Sequence, residues 1–337
     1  MKFREPQIEM AHGAGGKATR RLIDGLIAPL LMRDAYDAHE SLGDAATVDV
    51  DGAAVAITTD AFVVTPLKFP GGSIGDLAVN GTVNDLAVSG ATPIAMVVSF
   101  VLEAGLPTNV LEAEVRAMAQ AAACAGIAIV GGDTKVVEHG KADQMYITTT
   151  GIGRRRPGLV LGPRQVQPGD KIIVSGPIGD HGITILLARG ELDLEADLQS
   201  DTRSVFPVVE ALIRAAGPGV RWMRDPTRGG VATTLNELAL DSGFGVHLLE
   251  ELIPVRAEVR GACELLGLDP LHIANEGQFL TVVAAEYAET ALAAMGERAA
   301  LIGEVKSEPA GSVLVTTGYG GSRIVDMLVG DPLPRIC

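Results

Sequence analysis

The chain contains few cysteines and few aromatic residues, and both deficits narrow the class of protein. Its 337 residues include three cysteines, one tryptophan and an aromatic fraction of 4%. Cys124, Cys263 and Cys337 show neither metal-ligand spacing nor the even number that a disulfide framework needs. They predict a reducing, cytoplasmic setting, in which the Cys337 thiol would stay able to react.

Basic residues and long apolar runs are also scarce. The 27 lysines and arginines face 42 acidic residues, a formal charge of −15, which argues against general nucleic-acid binding. A nucleotide ligand stays possible, but its phosphates would need Mg²⁺ between them and the carboxylates. No apolar stretch approaches the length of a membrane span, and Met1–Pro6 lacks the apolar run of a secretory signal.

Strand and helix patterns alternate in two halves, which predicts an α/β fold, α+β in detail. We expect an N-terminal domain over 1–155, a C-terminal α/β domain over 156–330 and a flexible tail over 331–337, with the Gly/Pro/Arg-rich stretch 153–169 as the linker. The predicted strands are Val55–Val64, Ile94–Leu102, Ile127–Val130, Met145–Ile152, Lys171–Ser175, Gly245–Leu248, Phe279–Ala284 and Ser312–Thr317. The predicted helices are Ala18–Leu31, Ile74–Ser89, Val110–Cys124, Gly182–Arg189, Ser204–Ala215, Gly230–Asp241, Ala257–Leu266 and Ala285–Gly296.

The tail ends in a cysteine. Pro332 and Pro334 fix their own φ and favour extended neighbours, so the tail should form a semi-stiff arm. From Gly330 it could extend roughly 20 Å at about 3.3 Å per residue. That length would bring Cys337 into a cleft of its own subunit or present the thiol to another protein. The alternative is a frayed end.

Several glycine-flanked polar clusters are candidates for ligand contacts. His12-Gly13-Ala14-Gly15-Gly16-Lys17 precedes a predicted helix, where backbone amides and the helix dipole favour an anion; an ordinary turn is the alternative. Asp44 and Asp60 lie next to strands and are either turn residues or part of a Mg²⁺ site.

The predicted helix Ile74–Ser89 carries two aspartates nine residues apart. At 100° per residue, Asp76 and Asp85 face opposite sides and cannot both serve one metal. Asp85 has small and apolar neighbours, so it is the costlier one to bury unpaired and the better ligand candidate. We expect Asp76 to be solvated or to cap the helix.

Three further clusters follow predicted strands or precede helices. Val130-Gly131-Gly132-Asp133-Thr134-Lys135 follows an apolar strand, and we expect functional side chains there rather than a simple turn. Asp225-Pro226-Thr227-Arg228-Gly229-Gly230 opens a helix. Glu276, between an amide and a glycine, is either a general base or a surface turn carboxylate.

Together these clusters resemble the superfamily of ATP-utilising enzymes that includes aminoimidazole ribonucleotide synthetase, selenophosphate synthetase and thiamine-phosphate kinase. The terminal Pro334-Arg335-Ile336-Cys337 resembles, more narrowly, the carbamoyl dehydratases of NiFe-hydrogenase maturation. That resemblance implies an enzyme that uses ATP and Mg²⁺ to dehydrate an S-carboxamide on Cys337 to a thiocyanate. It also implies HypF as the carbamoyl donor and the HypC–HypD complex as the acceptor of the cyanide.

The resemblance also implies roles for individual residues. It makes Cys337, Lys135, Glu276 and Arg155 catalytic, with Lys135 and Glu276 removing protons from the carbamoyl nitrogen and Arg155 orienting the tail. The implied metal ligands are Asp44, Asp85 and Asp225. The implied nucleotide contacts are His12, Gly13, Gly15, Gly16, Lys17, Asp60, Asn84, Gly131, Gly132, Asp133 and Thr134. Ser73 departs from the family pattern, which expects an acid there.

The implied fold is a two-domain aminoimidazole ribonucleotide synthetase-like architecture in a homodimer. Its N-terminal domain would bind ATP and form a barrel with the strands of a second subunit. Two other activities compete with the dehydratase. A selenophosphate synthetase would need a reactive cysteine near the N-terminus, whereas the first one here is Cys124, expected to be buried and inert in an Ala-rich helix. A thiamine-phosphate kinase would have no use for the tail.

A third alternative is a non-catalytic carrier that only hands Cys337 between maturation partners. Such a carrier would not need bases at Lys135 and Glu276, so these two residues discriminate between the alternatives.

Overall fold

The strands of the first half form one mixed sheet. The computed structural model describes residues 3–32, 43–190, 196–330 and 333–337, so Asp331 and Pro332 of the predicted tail lie outside the described residues. Within them, the sheet has the order β1-β2-β7-β5-β6, antiparallel except for the β5–β6 pair. Its strands are β1 (Ala46–Val50), β2 (Ala53–Phe62), β5 (Ala91–Glu103), β6 (Ala128–Val137) and β7 (Met145–Arg155). Two short strands, β3 (Lys68–Phe69) and β4 (Gly72–Ser73), form a separate hairpin.

A helix buried on almost every side lies at the centre of the molecule. This helix, α3 (Ile74–Val88), packs on the first sheet, on α4 (Thr108–Ala125) and on α6 of the second half (Phe206–Ala216). Burial on all sides requires small residues: a Cβ on Gly81 would lie 2.9 Å from the Phe62 ring. Because α3 touches both halves, its polar side chains can reach groups from each of them.

The second half is a seven-stranded sheet covered by helices, within the part of the chain that the structure describes. Its order is β14-β13-β10-β12-β8-β11-β9. The strands are β8 (Lys171–Val174), β9 (Val220–Arg224), β10 (Gly245–Leu249), β11 (Leu280–Val283), β12 (Ala300–Lys306), β13 (Val313–Thr316) and β14 (Ser322–Val325). The remaining helices are α1 (Lys17–Leu22), α2 (Ala28–Leu31), α5 (Asp180–Ala188), α7 (Gly230–Ser242), α8 (Ala257–Leu266) and α9 (Ala288–Met295).

The two-half α/β organisation was predicted, but several strands were not. The strands Ala46–Val50, Val220–Arg224, Ala300–Lys306 and Ser322–Val325 are additions to the prediction. The first pairs with β2 through a turn whose Asp51 and Gly52 both have positive φ. The predicted helix Ala18–Leu31 contains a π turn at Ile23–Ile27, between α1 and α2. None of the described helices is long and apolar enough to cross a membrane.

One prediction about local structure was wrong in a way that matters for the site. Ile127–Val130 was expected to end at Gly131, but β6 continues to Val137, so Gly131–Lys135 lies within a strand. Gly132 is required there because a Cβ would meet the Val98 carbonyl oxygen at 1.9 Å. Sequence reasoning ended the strand before the glycine pair and expected a functional cluster after it, whereas close contact with a neighbouring strand is the reason for Gly132.

An apolar core joins the two halves and includes the end of the tail. Phe62, Leu77 and Met96 of the first half share this cluster with Ile183 of α5 and Ile273 of the second half. From the tail, Leu333 and Ile336 enter the same cluster and are buried. The described residues of the tail are therefore packed against this core in the structure, and the predicted flexibility of the tail stays a prediction.

Candidate active site

Three carboxylates from different elements converge between the two halves. Asp44 precedes β1, Asp85 lies on α3, and Asp225 directly follows β9. One oxygen from each lies within 4.8 Å of the others. These are the three residues that the family resemblance implies as metal ligands, and the structure brings them together.

The three carboxylates open into a cavity of about 390 Å³. Its wall includes Asp60 of β2 and, at the start of α1, Gly15 and Gly16. The second half contributes Thr227, Arg228 and, from α7, Thr233 and Thr234. The cleft thus joins the N-terminal segment, the first sheet and the second half. Its size and its acidic wall suit a nucleotide whose phosphates are bridged by a cation.

The carboxylates are held in the cleft at an electrostatic cost. Burial, followed by the mutual repulsion of the acids, raises the pKa of Asp85 and of Asp225 well above the usual range. Burial also raises the pKa of Asp44 to about 6, although its Oδ1 accepts a hydrogen bond from Arg224 Nε at 2.9 Å. Asp85 Oδ2 accepts a hydrogen bond from Thr58 Oγ1 at 2.7 Å.

The donor set fits Mg²⁺. Carboxylate oxygens on rigid elements are hard ligands, and Mg²⁺ binds through one or two carboxylates together with substrate phosphates. Burial and the mutual repulsion of the acids both raise the pKa values of Asp85 and Asp225, so ionised carboxylates here are costly without a further cation. A divalent cation at Asp44, Asp85 and Asp225 would supply that missing charge.

Cys337 lies beside this cluster. The thiol-bearing residue and Glu276 line one small chamber of about 40 Å³ together with Asp60, Asp85 and Asp225. The C-terminal residue therefore enters a cleft of its own subunit, one of the two positions that its predicted reach allowed.

Glu276 is buried, lines this chamber and has a side-chain oxygen, Oε1, without a hydrogen-bond partner among the described residues. Burial, and then the charges of Asp225 and Asp201, raise its pKa well above the usual range. Its backbone is fixed in turn, since Asp201 Oδ1 accepts a hydrogen bond from the Glu276 amide at 3.1 Å. A buried carboxyl of raised pKa is suited to proton transfer, so the surface-turn alternative is wrong.

Other proposed residues lie away from the Cys337 chamber. Lys135 is on the exposed strand β6, where its Nζ lies 2.7 Å from an oxygen of Asp133. Gly131, Gly132 and Thr134 line, with Asp133, a cavity of about 350 Å³ against α4. Within one chain the structure therefore does not bring these residues to the aspartate cleft, and their roles in the expected homodimer stay predictions.

Arg155 and Asn84 are corrections to the expectation. Arg155 donates to the Ser89 carbonyl and, at 2.9 Å, to Thr47 Oγ1, rather than to the tail. Asn84 does not face the cleft: its side chain donates to the Glu276 carbonyl at 3.2 Å and accepts from the Val205 amide at 2.7 Å. It ties α3 to the second half, so its role is structural.

Within the His12–Lys17 cluster, some residues line the cleft and others hold the N-terminal segment in place. Gly15 and Gly16 line the cleft, and a Cβ on Gly16 would lie 2.2 Å from the Leu328 carbonyl oxygen. His12 is buried with its Nε2 2.6 Å from Glu5, and the Lys17 Nζ lies 2.5 Å from Asp326. Gly13 accepts a hydrogen bond from Arg228. His12 and Lys17 thus hold the N-terminal segment in place instead of facing the cleft.

Sequence reasoning missed several residues that the structure places at the site. Arg224 pairs with both Asp44 and Glu237, each at 2.9 Å, and its position next to Asp225 was an available signal. His181, in the cluster Gly179-Asp180-His181-Gly182 after strand β8, contacts the tail. Cys124 was also misjudged, because it is exposed on α4, whereas Cys263 is buried.

Comparison with known proteins identifies the family. Residues 42–155 match the N-terminal domain of the AIR synthase related proteins, and residues 167–316 match their C-terminal domain. The carbamoyl dehydratase HypE of Azotobacter vinelandii is 49% identical over 342 aligned positions, which cover 100% of this chain and 99% of that protein.

Solved structures agree. A HypE–HypF complex superposes with a TM-score of 0.83 at 43% identity, over 90% of this chain and 100% of that one. A HypE in complex with ATP superposes with a TM-score of 0.81 at 45% identity, over 98% and 100%. With a full-length relative at this identity and both family domains present, the chain belongs to the HypE family of carbamoyl dehydratases within the AIR synthase related proteins.

Proposed function

We propose that this protein is an ATP-dependent carbamoyl dehydratase that converts an S-carboxamide on its own Cys337 into a thiocyanate. One observation carries the proposal: Cys337 shares a chamber with Glu276 and with two carboxylates of the proposed metal cluster. A reacting tail, a proton acceptor and a phosphate-binding cleft are thus adjacent within one chain.

The reaction balances with ATP as the only co-substrate. The carboxamide oxygen attacks the γ-phosphorus, and the bond from that phosphorus to the bridging oxygen breaks to release ADP. The carbon–oxygen bond then breaks, and phosphate leaves with the former carboxamide oxygen. The nitrogen loses both of its protons, so the C–N bond becomes the triple bond of the thiocyanate. An amide oxygen is a poor leaving group, which is why its phosphorylation is needed.

Chain residues then have distinct tasks. We assign Asp44, Asp85 and Asp225 to Mg²⁺, which, when bound, neutralises phosphate charge as it develops. Gly16, at the start of α1 and in the cleft wall, would offer its backbone amide to a phosphate, whereas the Gly15 amide donates to Thr19 Oγ1 at 2.9 Å.

Glu276 is the proposed proton acceptor. Its unpartnered Oε1 and its place in the chamber with Cys337 support this role. The positive charge of a bound cation would lower the raised pKa of this carboxyl toward the range in which a base works at neutral pH. The competing carrier function has no use for a buried carboxyl at this position.

A second copy of the chain would complete the site. Strand β6 is an edge of the first sheet, and its residues are exposed from Ala128 to Val136. An exposed edge strand is a template for pairing, so we propose that β6 is part of the homodimer contact. Lys135 lies on this edge, and any role for it at the carbamoyl nitrogen depends on the partner.

We also propose HypF as the source of the carbamoyl group and the HypC–HypD complex as the acceptor of the cyanide. The intact mass of the protein tests the dehydratase directly. Incubation with HypF, carbamoyl phosphate and ATP should add one carboxamide, and excess Mg²⁺-ATP should then remove one water. Cys337→Ala should show neither change. A carboxamide that persists while ATP is consumed would establish the carrier instead.

A further inference from the structure

The tail is held by its backbone. Within residues 333–337, each of the last four carbonyl groups accepts a hydrogen bond from another part of the chain. Val63 N donates to the Cys337 carbonyl at 3.0 Å, and Thr65 N donates to the Arg335 carbonyl at 3.4 Å. The segment that follows β2 therefore supports one side of the tail.

The other side is supported from helix α5. Arg189, the residue after this helix, donates through Nη2 to the Pro334 carbonyl at 2.5 Å and to the Arg335 carbonyl at 2.8 Å. Its Nε donates at 3.1 Å to the carbonyl of Thr65. One guanidinium thus ties the tail to the opposite wall of its groove. A charged donor that bridges several carbonyls makes stronger hydrogen bonds than a neutral one.

His181 of α5 is fully buried and holds the next carbonyl. Its Nε2 lies 2.6 Å from the Ile336 carbonyl oxygen, and its Nδ1 lies 2.8 Å from Ser200 Oγ. A carbonyl oxygen can only accept, so Nε2 carries the proton and Nδ1 accepts from the serine hydroxyl. The Ile336 carbonyl thereby fixes the tautomer, and the Ser200 hydroxyl, which can donate or accept, satisfies the other ring nitrogen. Burial holds the pKa of His181 at about 4, so the ring is neutral at physiological pH.

We propose that His181 and Arg189 are positioning residues that hold the docked tail by its backbone and thereby keep Cys337 in the site. These contacts are made to main-chain atoms and not to the sulfur. The same hydrogen bonds can therefore form whether Cys337 carries a thiol, an S-carboxamide or a thiocyanate, and they fix the position of the reacting carbon in the modified states. Breaking these hydrogen bonds is the step that exposes Cys337 to another protein.

The three cysteines of the chain provide the test. A maleimide on a polyethylene-glycol chain is too bulky to enter the cleft, so it modifies Cys337 only when the tail is undocked. Exposed Cys124 gives the reference rate, and buried Cys263 reports unfolding. Loss of a hydrogen bond of this kind corresponds to roughly tenfold in an equilibrium. His181→Ala and Arg189→Ala should each raise the Cys337 rate about tenfold relative to Cys124.

Two further variants separate positioning from general damage. His181→Gln keeps an amide donor near the place of Nε2 and should restore most of the protection of Cys337. Arg116→Ala removes an exposed arginine on α4 that pairs with Glu112, and it should leave the Cys337 rate unchanged. The proposal is overturned if Cys337 reacts at the wild-type rate in the alanine variants while Cys263 stays protected. If His181→Ala also makes Cys263 reactive, that variant has partly unfolded, and the Cys337 rate of Arg189→Ala alone tests the proposal.

A second measurement rests on the proposed function. In protein loaded with the carboxamide, the alanine variants should lose water about tenfold more slowly, with an unchanged KM for Mg²⁺-ATP. Equal dehydration rates would show that docking by these residues does not serve the chemistry. If the wild type never loses water, the proposed function fails, and the maleimide result still decides whether His181 and Arg189 hold the tail.

Discussion

Asp85→Asn should stabilise the unliganded protein while abolishing its use of Mg²⁺-ATP. Asparagine has the shape of aspartate and retains an oxygen that can accept the 2.7 Å hydrogen bond from Thr58 Oγ1. The change therefore removes one charge from the cluster with little change in packing. The neighbouring acids Asp44, Asp60 and Asp225 each raise the pKa of Asp85 after burial itself, so the removed charge is one that the fold disfavours.

The magnitude follows from the geometry. Oxygens of Asp44, Asp85 and Asp225 lie within 4.8 Å of one another. At an effective dielectric constant of about 20, two unit charges at that separation repel by about 3 kcal/mol. The cluster relieves part of this repulsion by taking up protons, so the net gain is smaller. We expect about 2 kcal/mol at neutral pH, equivalent to a rise in Tm of about 4 °C.

The sign of the pH dependence is a second check. A carboxyl whose folded-state pKa is raised stabilises the fold at low pH, and this contribution is lost as pH rises from the usual value through the raised one. For Asp44 this window extends from 3.8 to about 6, and the pKa values of Asp85 and Asp225 are also raised well above the usual range by burial and by the neighbouring acids. Without Mg²⁺, the wild type should therefore lose stability with rising pH more steeply than Asp85→Asn, by up to about 1.4 kcal/mol per pH unit.

Thermal unfolding in EDTA at several pH values measures the stability difference and its pH slope, and its repetition with Mg²⁺-ATP measures stabilisation by the ligand. Asp76→Asn is the matched control, because Asp76 lies on the same helix outside the acidic cluster and accepts a hydrogen bond from Ser73 Oγ at 3.2 Å. It should change neither the pH slope nor the response to Mg²⁺-ATP. If Asp85→Asn is less stable than the wild type in EDTA, the repulsion argument is wrong. If Mg²⁺-ATP still stabilises it fully, the cluster is not the metal site.

Three other substitutions follow from the same structure. Glu276→Gln should bind Mg²⁺-ATP normally yet lower the rate of dehydration by about 10²- to 10⁴-fold, measured as accumulation of the carboxamide by intact mass. Asn84→Ala should lower the free energy of unfolding by about 2–4 kcal/mol, measured by urea titration, because it leaves the backbone groups of Arg203, Val205 and Glu276 in the second half without their Asn84 partner. Gly132→Ala should disrupt the β5–β6 edge, because its Cβ would lie 1.9 Å from the Val98 carbonyl oxygen, whereas at Gly131 the nearest atom is 4.0 Å away. Circular dichroism and melting of Gly132→Ala against Gly131→Ala check this, and equal stability would contradict it.

Asp85 shows how far sequence reasoning reaches into the site. Helical spacing separated it from Asp76, and its apolar neighbours marked it as the costly one to bury. Both are local arguments, and local arguments suffice when a residue's own helix determines its environment. Asp44 and Asp225 were different: only family resemblance joined them to Asp85, because they reach the cleft from opposite halves of the chain.

Strand β6 shows where such reasoning fails. Sequence reasoning ended the strand at Val130 because two consecutive glycines follow, and the pattern cannot reveal that a neighbouring carbonyl occupies the space of a Cβ at Gly132. Cys124 failed for a related reason. Its alanine neighbours suggested a buried helix, but α4 turns this position to the surface. In both cases the missing information was the identity of the neighbouring element.

The tail contacts were beyond sequence reasoning, and their energetics explain why they can be reversible. Burial of Leu333 and Ile336 contributes roughly 1.5–3 kcal/mol each, and the backbone hydrogen bonds add about 1 kcal/mol apiece. Ordering five residues costs roughly 1–2 kcal/mol each for the backbone alone, and Arg335, with φ of 58°, adds the cost of a left-handed conformation. The stabilising contributions and the cost of ordering the tail agree to within a few kcal/mol.

A tail whose docking is nearly balanced can be moved by a small change. This is what a cysteine needs if it must be loaded outside the cleft and react inside it. It also means that each bond from His181 or Arg189 is a large fraction of the docking free energy. Removing one should therefore shift the tail population by about an order of magnitude, although the stability of the fold as a whole barely changes. A Cys337 modification rate that rises without any fall in Tm would be the signature of that balance.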